Sequence, residues 1–250
     1  MEELVSIVTP VYNGEAFLPD AAKSVLGQTW SDWEWVIVDD ASQDRSFDIA
    51  KALEEEDARI RTARLAVNRG AAVARNRAIE MARGRFIAFL DCDDLWKSEK
   101  LQKQVGFMLQ GKIGLSYSYY EVIDETGASL GRTVRPPLKV TYREMLRKNH
   151  IGCLTAMYDS KRLGKQYMPE IRKRQDYGLW LQILKRVEFA YCLPEPLALY
   201  RRRGTSISSD KLDLLKYNWK LFHDVEGLSF FSSLGCLIWN IGHKLLDRDE

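Results

Sequence analysis

Phe86-Ile87-Ala88-Phe89-Leu90-Asp91-Cys92-Asp93-Asp94 decides how the rest of this chain is read. Five apolar residues in a row read as a strand buried on both faces, and an acidic cluster stops it. The same device recurs upstream. Trp35-Val36-Ile37-Val38 stops at Asp39-Asp40, and a run over residues 4–9 is ended by Pro10. Residues 60–65 form a weaker run. Between the runs lie segments of helical spacing at 16–26, 44–53 (capped by Ser42 or Asp44) and 70–82. Such alternation predicts an α/β fold, a mostly parallel, Rossmann-like sheet with helices on both faces.

Farther out the order becomes mixed. Residues 115–123 and 129–134 read as a strand and its return around a turn at 125–127, and Pro136-Pro137 marks a loop. A short helix is expected at 142–147, an amphipathic one at 176–187 with Leu179, Trp180, Ile183 and Leu184 on one side, and a strand at 197–200. A helical extension occupies 208–250. Its stretch 228–242 carries no charged residue but is short of the roughly 20 residues that span a bilayer. Lys211, Lys216, Lys220 and Lys244 lie around it. Two readings stay open: a helix lying in a membrane surface, or one packed on the domain or on another subunit of a homo-oligomer.

The chain has 250 residues, 46% of them hydrophobic, enough for a full core. A formal net charge of +2 argues against a dedicated nucleic-acid binder. The charge is unevenly spread. Residues 1–125 hold 15 Lys and Arg against 22 Asp and Glu, and residues 126–250 hold 22 against 13. An acidic half suits a metal, and a basic half suits phosphates or anionic lipid. Cys92, Cys153, Cys192 and Cys236 form no Cys-x-x-Cys pair and, with three scattered histidines, no zinc pattern. Buried thiols in a reducing cytoplasm are expected. Met1-Glu2-Glu3 leads directly into a strand, without the basic and apolar regions of a secretory signal.

In parallel sheets ligands bind beyond the carboxyl ends of the strands, so the residues there carry the candidate chemistry. Clustering Asp91, Asp93 and Asp94 is costly unless a cation compensates, and carboxylate with phosphate oxygens suits Mg2+ or Mn2+. Asp93 is the expected main ligand, with Asp91 bridging toward metal or ribose. Asp94 is either a supporting residue or a helix cap. Asp40 can accept from a uracil imide N–H or from ribose hydroxyls, or Asp39-Asp40 can serve turn and cap chemistry alone. Asn68-Arg69-Gly70 and Ala74-Arg75-Asn76 open a helix whose N-terminus, Gly70 backbone and Arg75 suit a diphosphate.

These motifs, in this order, resemble the family-2 glycosyltransferases, inverting enzymes of the GT-A type. The resemblance runs from Val5-Ser6-Ile7-Val8-Thr9-Pro10-Val11-Tyr12-Asn13 through Gln28-Thr29-Trp30 to Arg83-Gly84-Arg85 and the acidic cluster. It implies a glycosyltransferase domain at 1–207, with a sugar-donor half at about 1–112 and an acceptor half at about 113–207. It further implies that Thr9, Pro10 and Tyr12 line the nucleoside pocket and that Asp40 reads the base. Asn68, Gly70 and Arg75 would meet the diphosphate, while Asp91 and Asp93 handle metal and ribose. Ala41 stands where relatives often have Gly, a departure that keeps a small residue.

Gln175-Asp176-Tyr177-Gly178-Leu179-Trp180 resembles the segment that supplies the family's catalytic base. Many relatives have Glu-Asp where this chain has Gln-Asp, which leaves Asp176 as the candidate base; a helix cap is its plain alternative. Arg201, Arg202 and Arg203 belong to a stretch that resembles a tail segment of bacterial members; they close over the diphosphate or are simply solvated. The Gln-x-x-Arg-Trp motif of processive synthases is absent. The implied activity is metal-dependent, inverting transfer of a single sugar from a nucleotide-diphosphate sugar, preferably a UDP-sugar, to a hydroxyl of a glycan or lipid-linked acceptor. Bacterial lipopolysaccharide, capsule or another surface polysaccharide is the expected product, made in the cytoplasm or at the inner face of its membrane. A dehydrogenase would need Gly-x-Gly-x-x-Gly where Thr9-Pro10-Val11-Tyr12-Asn13-Gly14 stands. A sugar-nucleotide nucleotidyltransferase or an inert scaffold subunit are the remaining rivals.

Overall fold

A computed structural model of the chain describes residues 3–204 and 211–246. The first half alternates as its periodicity requires: β1 (Val5–Val11), α1 (Leu18–Leu26), β2 (Trp33–Asp39), α2 (Ser46–Glu56), β3 (Ile60–Arg64), α3 (Ala71–Met81) and β4 (Phe86–Phe89). The four strands are parallel, in the order β3-β2-β1-β4. Every residue of β1, β2 and β4 is buried, because helices cover both faces. The pleat divides them. Val5, Ile7, Phe86 and Ala88 pack with α1 on one face, while Val8, Ile87 and Phe89 pack with α3 on the other.

Pro10 does not end β1. The strand continues to Val11, with Pro10 opposite Val38 and Val11 opposite Asp39. Pairing with β4 stops earlier, at Val8 and Phe89, so β1 is single-sided where the proline lies and loses no ladder bond there. Behind this frame, Glu34 accepts from the Ser6 hydroxyl at 2.6 Å and from the Arg83 N–H. Gly84 fits only as glycine, since a Cβ there would lie 2.6 Å from Leu4 O and Ser6 N.

The second half comprises β5 (Leu95–Trp96), α4 (Lys100–Gln110), β6 (Leu115–Ile123), β7 (Ser129–Val134), β8 (Lys139–Val140), α5 (Tyr142–Arg147), β9 (Met157–Asp159), α6 (Ser160–Leu163), α7 (Gln175–Leu184) and β10 (Ala190–Arg201). It is mixed, as its sequence order predicts, and joins the parallel first half in one sheet. Beyond β4 the order runs β9-β6-β10-β5, and only the β6–β10 pair is parallel. The short β9 enters between β4 and β6 and reverses direction, so the parallel rule holds only while helices make the crossovers. Gln28 ties the two halves: its side chain bridges Ser24 O, Lys97 O and the Leu101 N–H.

The expected boundary at 207/208 lies outside the described residues. After it come α8 (Lys211–Trp219), a π-helical turn (Lys220–Val225) and α9 (Phe230–Leu246). Leu221 and Phe222 of the turn are fully buried with α7, and Tyr177 meets Phe222 edge-on at 6.0 Å. The extension thus completes the core beneath α7.

Candidate active site

The loop after β2 is built by its own acids. Asp40 is buried, and its two oxygens accept the N–H groups of Arg69 and Gly70, both at 2.7 Å. Those bonds hold Gly70 at φ 92 as the N-cap of α3. Asp39 accepts from the Ser42 N–H at 3.0 Å and pairs with Arg64 at 3.2 Å. Between them Ala41 sits at φ 57, in the left-handed region. The Gly-to-Ala departure is therefore less innocent than residue size suggests, because the position favours glycine for its backbone.

The loop after β4 is organised differently. Arg75, nearly buried on α3, donates to Asp91 at 2.5 Å. Burial works against the charge of Arg75, but the Asp91 carboxylate beside it raises its pKa and keeps it protonated. Asp93 is paired with Arg203 at 3.2 Å. Burial and then the neighbouring Asp91 raise the Asp93 pKa, and Arg203 only partly offsets them. Asp94 is turned inward, where its carboxylate accepts the Arg201 N–H at 2.9 Å and fastens the end of β10. It is a structural anchor and caps no helix. Burial, followed by repulsion from Asp93 and Asp91, pushes its pKa well up.

Asp176 lies in the first turn of α7, whose N-cap is Arg174 at φ 69. The capping alternative for Asp176 is thereby removed. Gly178 permits the fit beneath it, since a Cβ there would meet Pro169 at 2.5 Å. Burial raises the Asp176 pKa, against the opposing pull of Arg75 and the Tyr177 N–H. Arg75 feels Asp91, Cys153 and Asp176 together, so the tips of β4, α3 and α7 converge on one guanidinium. Asn68 and Gly70 instead line an open cavity of about 410 Å³ with Arg69, Ala72, Val73, Glu170, Ile171 and Arg172.

The sequence model described as Glycosyl transferase family 2 matches residues 6–160, which hold β1 to β9 and the acidic loop. The chain belongs to glycosyl transferase family 2. Among its relatives is the putative teichuronic acid biosynthesis glycosyltransferase TuaG of Bacillus subtilis, 42% identical over 94% of this chain and 93% of that protein. Another is the Escherichia coli UDP-Glc:alpha-D-GlcNAc-diphosphoundecaprenol beta-1,3-glucosyltransferase WfgD, 40% identical over 88% and 86%. The fold is that of S. aureus TarS, solved in complex with UDP-GlcNAc: TM-score 0.74, 19% identity, 94% of this chain and 70% of that one.

Within this glycosyltransferase not every expected site residue faces the cleft. Thr9 is the clear correction: it is fully buried, and its hydroxyl accepts from Trp35 Nε1 at 2.8 Å, so it serves the core. Pro10 is buried and Tyr12 is exposed at the end of β1. The side chain of Asn68 reaches Asp40 O at 3.2 Å. Sequence reasoning assigned no place in the cleft to Asp39, whose buried Oδ1 has no hydrogen-bond partner, or to Cys153, whose thiol burial keeps protonated next to Arg75. Neither had a local signal. Asp39 was overshadowed by its neighbour, and Cys153 arrives from a turn at Cys153–Thr155 that only folding brings near.

Proposed function

We propose that this glycosyltransferase moves one sugar from a UDP-sugar to a hydroxyl of a lipid-linked or glycan acceptor during synthesis of a bacterial surface polysaccharide, with inversion. The observation that carries the reading is the convergence of Asp91 and Asp176 on Arg75. An acid suited to the sugar-donor side and an acid suited to proton removal then flank a single cation. The relatives support the substrate class: WfgD is named for a UDP-Glc donor and a diphosphoundecaprenol-linked acceptor, and TuaG for teichuronic acid synthesis.

Asp176 accepts the proton of the acceptor hydroxyl as that oxygen attacks the anomeric carbon from the face opposite the diphosphate. Burial raises its pKa and makes it a stronger base than an ordinary carboxylate, and Arg75 offsets part of that rise. Positive charge then grows on the sugar, as in glycoside hydrolysis, and negative charge on the departing diphosphate, which Arg75 faces. Asp40 rigidifies the Asn68–Gly70 loop on the nucleoside side of the cleft, next to the buried, unpartnered Asp39 Oδ1. Tyr12, exposed just after β1, is the aromatic side chain nearest in sequence to offer the base a flank.

Asp91 and Asp93 fit Mg2+ or Mn2+. They are hard oxygen ligands whose mutual repulsion is only partly relieved by Arg203. No group of three or more His, Cys, Asp or Glu forms a complete cage among the described residues, so diphosphate oxygens would complete the coordination. Such an ion supplies charge compensation for the leaving group. The mannosyltransferase PcManGT of Pyrobaculum calidifontis, TM-score 0.65, was solved with GDP-Man and Mn2+. The cysteines are all free, in keeping with a cytoplasmic reaction.

Thermal-shift titration with UDP, GDP and TDP, each with and without Mn2+, tests this reading. UDP with Mn2+ should raise the unfolding midpoint most, because a ligand selective for the folded state stabilises it. Equal shifts from all three, or a UDP shift indifferent to Mn2+, would reject the carrier or the ion respectively.

A further inference from the structure

We infer that the outer face of α9 is a docking surface for an anionic lipid bilayer. The helix is two-sided. Ser233 is buried, Cys236 packs on the core, and Asn240 donates to Leu146 O at 3.1 Å. The opposite side presents Phe230, Phe231, Leu234 and Ile238, with Phe231 83% and Ile238 60% exposed. Those positions recur at helical spacing, so they form one apolar stripe rather than scattered residues. A single exposed Phe is ordinary; a continuous stripe on a well-packed helix marks an interaction surface.

Charge selects the partner. No charged residue interrupts 228–242; Lys216, Lys220 and Lys244 flank it together with Asp224, Glu226 and Asp247. The Arg147 guanidinium lies 5.1 Å over the Trp239 ring, and Arg143, Lys216 and Lys220 are exposed on neighbouring elements. Of the nearby acids, Glu226 pairs with Lys185 at 2.7 Å and Asp213 with Lys173 at 2.7 Å, Asp224 lies beside His223, and Glu144 is engaged in the cap of α5. An apolar, aromatic stripe rimmed by Arg and Lys matches the boundary between acyl chains and anionic headgroups. A second copy fits less well, because a two-fold contact across α9 would set each basic rim against its twin. At 17 residues α9 is ~26 Å long, and no helix of the described residues is long and apolar enough to cross a membrane, so the helix lies along the surface.

The surface is linked to the site. Asn240 holds the end of α5 through Leu146 O, and Tyr177, next to Asp176, donates its hydroxyl to Met145 O on the same helix. Docking would therefore steady the acceptor side of the cleft near the membrane. This orientation rests on the lipid-linked acceptor proposed above, whereas the docking itself does not.

Flotation of the full-length chain with phosphatidylcholine vesicles, plain or mixed with phosphatidylglycerol, tests the inference without any sugar donor or acceptor. Binding is expected on the mixed vesicles and should weaken as salt is raised. Phe231→Ser with Ile238→Ser should reduce partitioning by about tenfold or more. Arg147→Gln should weaken binding to the mixed vesicles only. Unchanged melting in solution verifies that the variants fold, since these side chains face outward. Wild-type levels of flotation in the double variant would overturn the proposal. So would a dimer, seen by sedimentation equilibrium, that the same double variant dissociates. Failure here leaves the nucleotide response of the cleft untouched, and the converse also holds.

Discussion

The acids at the tips of β2 and β4 look alike in sequence and do opposite work in the fold. Asp40 takes two backbone N–H groups at 2.7 Å and is locked into shaping a loop. Asp91 and Asp93 are met by arginine side chains, Arg75 and Arg203, rather than by backbone N–H groups. A carboxylate satisfied by backbone is part of the scaffold. One satisfied by a side-chain cation remains available to an ion or a phosphate-bearing ligand, and for Asp93 burial and the neighbouring Asp91 also raise the pKa.

The largest effect should come from the acid that neither strand tip supplies. Asp176→Asn is expected to cut turnover by about 10²–10⁴ while nucleotide binding persists, as measured by steady-state transfer and thermal shift. Full activity in that variant would remove the base from the mechanism. The strand-tip comparison itself is broken or upheld by a matched pair. Asp40→Ala leaves two N–H groups unpaired and should cost roughly 2–4 kcal/mol in denaturant unfolding. Asp93→Asn should leave the ligand-free protein as stable or more so, since it relieves repulsion with Asp91, yet abolish the Mn2+-dependent part of the UDP shift. If the two variants exchange these phenotypes, the distinction between scaffold and ligand-facing acids is wrong.

A buried cation sharpens the comparison from the other side. Lys100 is fully buried between the halves, hydrogen-bonded to Gln104 Oε1 at 2.7 Å, with Trp96 4.1 Å away. Burial lowers its pKa from 10.5 to about 7. The folded state then holds fewer protons than the unfolded state between those values, so stability contributed by this residue rises as pH climbs from about 7 to about 10.5. Lys100→Met should stabilise the protein by about 1–3 kcal/mol at pH 7, with the gain shrinking toward pH 10. A gain independent of pH would mean that the lysine stays charged in the fold. The smallest expected effect is Ala41→Gly, which relieves a left-handed alanine in the Asp39–Ser42 turn and should add about 0.5–1 kcal/mol in the same assay.

Much of the fold was legible because local periodicity reports burial. The edges of β6, β7 and α5 fall where alternation and turn residues place them, and in the structure a capping box at Thr141 opens α5. The mixed second half was less legible, since β9 is three residues long and its place between β4 and β6 depends on partners far away in the chain. The site divided along the same line. Asp91, Asp93 and Asp176 were visible as acids at strand and helix ends. The engagement of Thr9 with Trp35 was not, because a threonine before a proline reads the same whether it faces core or cleft.

From the sequence alone follow the alternating first half, the acids that end its strands, the helix that carries Asp176 and an uncharged apolar tail. Those features are local, fixed by side-chain spacing over one or two turns. Tertiary structure alone decided which acids are engaged by the backbone and which side of α9 faces out. It also brought Arg203 to Asp93 across 110 residues of chain. Partner choice depends on strand order and loop closure, and no pattern within a single element encodes either.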